Sequence, residues 1–289
     1  MGNEIKLCWL GQSGFLVRAG DTVLLADPYL SDSCAKLKSK LDHTRGTPIV
    51  RDPADLKVDL YLITHSHADH FDPETINPVM TNNPDCRFFC PGDCRGKIEQ
   101  YLSEKAEKFE FVSAGKMVEL TAGIELHTIP AAHETLETDE NGEYKSVSFI
   151  VNFRKENISV FFGGDTVPYP GQDAAILRNL PSGAKLIMCL PVNGRDEARH
   201  AMGIAGNMDI DEAVCLAQSC GAELLIPCHI KMFAGNDPAE PARDLPGIRN
   251  VCGPGKNHAG TFQELDRLGK TEQDRAGFQS HLLFPSERQ

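Results

Sequence analysis

His65-Ser66-His67-Ala68-Asp69-His70 comes one residue after the apolar run Leu60-Tyr61-Leu62-Ile63. Three imidazoles and a carboxylate within six residues, directly behind what reads as a buried strand, are ill suited to a core and unusual in a plain loop. Histidine supplies neutral nitrogen donors and aspartate a hard oxygen, a mixture that zinc, manganese or iron accepts. In an extended or tightly turned segment His65 and His67 face one side while Asp69 and His70 reach another. That alternation suits two ions a few ångströms apart.

A dinuclear site needs further donors, and three more follow apolar runs elsewhere in the chain. His133 comes after 124–130, Asp165 after 158–162 through Gly163-Gly164, and His229 after 224–227. Each is an ordinary polar loop residue when taken alone. Together with the six-residue cluster they form a set.

The rest of the chain has a matching rhythm. Short apolar runs at 5–10, 15–18 and 23–26, broken by Gly and Asp, read as consecutive strands joined by tight turns. Strands are also expected at 60–63, 87–89, 109–112, 117–120, 124–129, 147–153, 158–162, 186–190 and 224–226, and helices at 73–80, 92–102, 173–180 and 210–220. Pro73 suits a first helical turn, and Asp209 with Glu212 has the spacing of a capping box. Strand groups alternating with helices imply a layered α/β or α+β sheet protein. Two stretches stand apart. The polar connector 31–55, with Lys36, Lys38, Lys40, His43, Arg45 and Arg51, reads either as a lid over the site or as a solvated loop. The Gly-rich 253–289 stretch, with apolar anchors only at 262–268 and 281–284, reads as a loose tail on one domain spanning 1–289.

Twenty-nine Lys and Arg against 41 Asp and Glu leave a net charge of −12 across 289 residues. That balance disfavours nucleic acid, whose affinity comes from neutralising phosphates. Hydrophobic residues at 41% allow a sizeable core, yet no run approaches the ~20 apolar residues of a membrane span. Met1-Gly2-Asn3-Glu4 lacks the order of a signal peptide, and Lys6 stands where a myristoylation site needs Ser or Thr. A cytoplasmic location is expected. The ten cysteines then read as reduced thiols. Cys86, Cys90 and Cys94 do not have zinc-knuckle spacing.

His-x-His-x-Asp-His followed by His, Asp and His at strand ends resembles the metallo-β-lactamase superfamily of hydrolases, over about residues 4–235. The resemblance implies an α+β four-layer αββα sandwich with the site at one edge between two sheets. It also implies His65, His67 and His133 on one metal, Asp69, His70 and His229 on the other, and Asp165 bridging. Asp27 matches that superfamily's early acidic position and would orient a ligand histidine. It also reads as a simple turn residue before Pro28. Two cations would acidify a shared water, with Asp69 and Asp165 as the catalytic carboxylates.

Further segments narrow the resemblance. Trp9-Leu10-Gly11-Gln12-Ser13-Gly14-Phe15, Asp27-Pro28-Tyr29-Leu30-Ser31-Asp32, Pro191-Val192-Asn193-Gly194-Arg195-Asp196 and Gly206-Asn207-Met208-Asp209 are similar to the branch that includes L-ascorbate-6-phosphate lactonase. This implies opening of a phosphorylated sugar-acid lactone and manganese or zinc as the metal, with iron as a further option. It points to a small anionic substrate. Loop-rich active-site rims further suggest a homo-oligomer. Arg195 would fork onto the phosphate, with Asn193 and Asn207 adding hydrogen bonds. Alternatively, Asn193-Gly194 makes a tight turn and Arg195 pairs with Asp196. Competing classes are a phosphodiesterase of the same superfamily and a non-catalytic metal-binding scaffold.

Overall fold

The computed structural model describes residues 5–38, 42–201, 203–233 and 249–250. The tail expected at 253–289, and Lys40 of the connector, lie outside the described residues.

One sheet runs in chain order, β1 (Ile5–Gly11), β2 (Gly14–Ala19), β3 (Thr22–Ala26), β4 (Leu60–Leu62), β5 (Arg87–Cys90) and β6 (Phe109–Phe111). Its first three strands form an antiparallel meander with Trp9 opposite Phe15, and the rest pair in parallel. The second sheet comprises β7 (Met117–Thr121), β8 (Ile124–Pro130), β9 (Val147–Phe153), β10 (Ile158–Phe162), β11 (Lys185–Pro191), β12 (Leu224–Cys228) and β13 (Arg249–Asn250), again in sequential order. Here too an antiparallel half, β7 to β10, passes into a parallel half, β10 to β13.

Parallel neighbours require crossovers, and the chain supplies helices for them. They are α1 (Pro73–Asn82), α2 (Arg95–Tyr101), α3 (Gln172–Arg178), the short α4 (Glu197–Ala201) and α5 (Ile210–Ser219). Pleat alternation then decides the layers. Leu60 and Leu62 of β4, Val160 and Phe162 of β10, and Ile187 and Cys189 of β11 meet in the core between the sheets. Tyr61 and Ile63 point the other way, toward Ile76, Val79 and Met80 of α1. Leu186, Met188 and Leu190 likewise face Ile210, Ala213, Val214 and Ala217 of α5. The result is the αββα sandwich. Strands covered on both faces explain why these runs are continuously apolar.

The helix starts follow their caps. Asp72 accepts from the Glu74 N–H ahead of Pro73, and Asp209 and Glu212 close a reciprocal capping box on α5. The helix expected at 92–102 divides into a 3-10 turn, Gly92–Cys94, and α2. Cys86, Cys90 and Cys94 are buried between the first sheet and its helices, and the nine cysteines among the described residues are free thiols. Two of the connector's cations have structural partners. Arg45 donates to the Tyr29 and Ser31 carbonyls at 2.7 and 3.1 Å and lies over the Tyr29 ring, while Lys36 pairs with Glu74 on α1.

Candidate metal centre

Every donor singled out by the sequence lies just beyond the C-terminal end of a strand. Asp27 follows β3, His65 to His70 follow β4, His133 follows β8, Asp165 follows β10 and His229 follows β12. Because these strands run the same way in each sheet, their ends share one edge of the sandwich. Open α/β sheets place their ligands at such an edge.

The seven side chains form two groups: His65, His67, His133 and Asp165 in one, and Asp69, His70 and His229 in the other. In the first, His133 Nε2 stands 3.1 Å from His67 Nδ1 and 3.5 Å from Asp165 Oδ2. The rings of His65, His67 and His133 are mutually steep, at 70°, 85° and 68°. In the second, His229 Nε2 is 3.4 Å from Asp69 Oδ2, and His70 Nε2 is 3.8 Å from the same oxygen. Asp165 spans both groups, with Oδ2 3.2 Å from His229 Nε2 and Oδ1 3.1 Å from His70 Nε2. Donors sharing a tetrahedral ion at bonds of ~2.05 Å stand roughly 3.3 Å apart, which is the scale of these separations. His65 Nε2, His70 Nε2 and Asp165 Oδ1 are buried and make no hydrogen bond. Buried polar atoms left so would be costly without a cation to face. The donor set therefore fits divalent metal.

A surrounding layer orients these donors. Asp27 Oδ2 takes the His70 Nδ1 proton at 2.9 Å, which turns Nε2 toward the cluster. The same carboxylate accepts from the Thr64 N–H at 2.8 Å and the Thr64 hydroxyl at 2.6 Å. Gly164 makes room for this arrangement, because a Cβ there would stand 2.7 Å from Thr64 Oγ1 and its φ is +61°. Positive φ also occurs at the non-glycine positions Gln12, Asp27, Glu134 and His229. Such strain concentrates at functional sites.

The electrostatics divide the imidazoles. Burial pushes His65 well below the ordinary histidine range, helped by His70 and His67, and burial likewise lowers His133. Burial also opposes charge at His70 and His229, but Asp165 and its neighbouring carboxylates outweigh it. His70 is raised well above its ordinary value and His229 is pushed up to about 9. Asp69 and Asp165 are held far below the carboxylate range, their burial overcome by His70 and His229.

The expected substrate residues are placed differently. Arg195 directs both terminal nitrogens to Glu212 at 2.6 Å and one of them also to the Asn207 carbonyl at 3.0 Å. Asn207 donates its amide to Asn193 Oδ1 at 3.0 Å, and both are buried. Arg195, expected to fork onto a substrate phosphate, has the N3 carboxylate of α5 as its anion here. Asp196, the alternative partner, meets Arg199 at 2.9 Å.

A cleft of about 180 Å³ instead opens beside the first donor group, with Asp93, Thr135, Glu137, Lys145 and Ser146 on its walls. His133 begins the hairpin that carries four of these, held by the bridges His133↔Thr135 and Thr138↔Tyr144. Lys145 pairs with Glu137 at 3.1 Å, and the Ser66 hydroxyl donates to Asp93. Glu134 fastens the start of the hairpin to His200 and to the Gly206 N–H. Asp93 carried a usable signal, a carboxylate just past the strand run 87–89. Lys145 carried none, because the hairpin lacks periodicity. Gln12 was visible only as part of a motif. Its amide donates to Asp69 Oδ2 at 2.8 Å.

Two sheets packed face to face, flanked by helices and carrying a His/Asp donor cluster at one edge, define a protein of the metallo-β-lactamase fold. The chain belongs to the beta-lactamase superfamily, whose domain matches residues 22–230. It is similar to a UPF0173 metal-dependent hydrolase of Thermoplasma acidophilum, 24% identical over 233 residues that cover 80% of this chain and 85% of that one. A namesake from Archaeoglobus fulgidus is 25% identical, covering 79% and 84%. Among solved structures, Igni18, a metallo hydrolase from Ignicoccus hospitalis, matches with a TM-score of 0.59 at 18% identity, covering 98% of this chain and 100% of that one.

Proposed function

We propose that this metal-dependent hydrolase binds two divalent ions, manganese or zinc, with iron as a further option, and opens the lactone ring of a small phosphorylated sugar acid. The observation that carries the reading is the convergence of seven donors from both sheets beside a small polar cleft. When bound, the ions would supply a water that ionises near neutral pH and positive charge to polarise the scissile carbonyl.

The chain's own groups do the rest. His65, His67 and His133 would hold one ion and Asp69, His70 and His229 the other, with Asp165 available to both. Asp27 keeps His70 in the tautomer that presents Nε2. Two carboxylates among seven donors leave a pair of divalent ions net positive, so the centre favours an anion. Asp69 accepts or relays a proton as the ring opens. Lys145 takes the role of phosphate contact that Arg195, occupied by Glu212, does not fill. The cleft is smaller than the ~300 Å³ lower bound of drug-sized pockets, which suits a compact substrate. A net charge of −12 disfavours nucleic acid. Among the described residues no helix is long and apolar enough to cross a membrane. The protein works in the cytoplasm as a homo-oligomer.

The test is a panel of phosphorylated and unphosphorylated lactones, simple carboxylic esters and bis-aryl phosphodiesters, run on metal-loaded protein. The phosphorylated lactone is expected to show the highest kcat/KM. A preference for the phosphodiester would replace the lactonase reading with that of a phosphodiesterase, and no turnover of any class would favour the scaffold.

A further inference from the structure

We propose that Gln12 is an additional metal ligand, acting through its side-chain carbonyl oxygen on the ion held by Asp69, His70 and His229. The inference rests on the reading that those three residues hold an ion.

The terminal amide atom of Gln12 lies 2.8 Å from Asp69 Oδ2 and 3.0 Å from His229 Nε2, and both of those atoms face the cluster. Donors sharing a five- or six-coordinate ion at bonds of ~2.1 Å stand about 3.0 Å apart. Rotating the amide by half a turn exchanges nitrogen for oxygen with almost no movement of the other atoms. In the metal-free protein the NH2 end is favoured there, because it can donate to the carboxylate. A cation held between Asp69 and His229 reverses the preference, since it repels the amide protons and attracts the oxygen.

The residue is built to stay in place. Gln12 is fully buried and holds a φ of 50°. Its own carbonyl accepts from the Trp9 indole at 2.8 Å and from the His229 N–H at 2.9 Å, so one turn presents both Gln12 and His229. A donor there would also change the character of the second position. The first group gathers four residues and the second three. Counting the shared Asp165, the second ion gains three oxygens and two nitrogens, against three nitrogens and one oxygen for the first. The oxygen-richer position suits a harder ion such as manganese, and the nitrogen-rich one suits zinc.

The experiment counts ions and measures their affinities by chelator competition in the full chain, stripped and reloaded with Mn(II) or Zn(II), for the native protein, Gln12→Leu and Gln12→Glu. Two ions per native chain are expected. Gln12→Leu should weaken one of them at least tenfold, manganese more than zinc, and leave the other unchanged. Gln12→Glu should hold or tighten the same ion. If Gln12 acts only as an amide donor to Asp69, Gln12→Glu sets two carboxylates against each other and weakens that ion as much as Gln12→Leu does, which overturns the inference. Unchanged binding in Gln12→Leu also overturns it. Fewer than two ions in the native chain would instead remove the underlying two-ion reading. Should neither variant fold, a crystal structure of the manganese-loaded native protein decides. A Gln12 oxygen within about 2.4 Å of the ion supports the assignment, and one beyond about 3 Å refutes it.

Discussion

Gly164 and His229 show how single residues hold the site in tension. Gly164 precedes Asp165, has a φ of +61° and faces Thr64, the residue that donates twice to Asp27. Gly164→Ala should therefore cost on the order of 2 kcal/mol and weaken metal binding, because the methyl group pushes Thr64 off Asp27. Denaturant unfolding together with metal titration checks both effects; unchanged stability would mean that the turn relaxes freely. At His229 the issue is a proton. Its folded pKa of about 9 exceeds the ordinary ~6.5, so the metal-free protein gains stability from the charged ring fully below pH 6.5. That contribution is lost as pH rises through about 9. An incoming ion must displace this proton, so apparent metal affinity climbs as pH rises toward about 9. Calorimetry at pH 7.5 in two buffers of different ionisation enthalpy should detect proton release on binding. Identical heats in both buffers would contradict it.

At the scale of elements, the two candidate anion contacts separate. Arg195 joins the loop after β11 to the first turn of α5 through Glu212, whose oxygens also complete the capping box. Arg195→Ala should lower stability by at most about 1 kcal/mol, since the pair is partly exposed, and should alter KM for phosphorylated and unphosphorylated lactones equally. Lys145→Ala, on the hairpin that begins at His133, should raise KM for the phosphorylated lactone about tenfold and leave its unphosphorylated analogue unaffected. Steady-state kinetics on the pair of substrates distinguishes the two. A selective effect of Arg195→Ala would restore the role read from its motif. The elements themselves were largely legible: the runs behind β1 to β12 and the capping box of α5 are local patterns. The short α4, between β11 and α5, was not, because five residues are too few to express a period.

In the whole molecule the centre joins two sheets that otherwise meet through apolar packing and a few hydrogen bonds, such as Arg87 on β5 to the Leu120 carbonyl on β7 and the Val147 N–H to the Thr64 carbonyl. His65, His67, Asp69 and His70 belong to the first sheet, and His133, Asp165 and His229 to the second. Metal bound there would tie the sheets at one edge, and binding to the folded state alone would raise its stability by linkage. Chelation should lower the melting temperature by roughly 5–10 °C, with re-addition of metal restoring it. A melting curve indifferent to chelator would show that the edge is preformed and unsupported by metal. The order of residues specifies which donors exist and that each ends a strand, because ligand type and strand periodicity are written locally. Its continuously apolar runs also specify a layered sheet protein, while the four-layer arrangement was legible only through the family resemblance. Folding alone decides the partners. Glu212 occupies Arg195 from 17 positions away, Gln12 meets Asp69 across 57, and Lys145 enters the cleft on a hairpin without pattern. Such pairings follow from how the strand ends converge in space, and a spacing along the chain does not encode that.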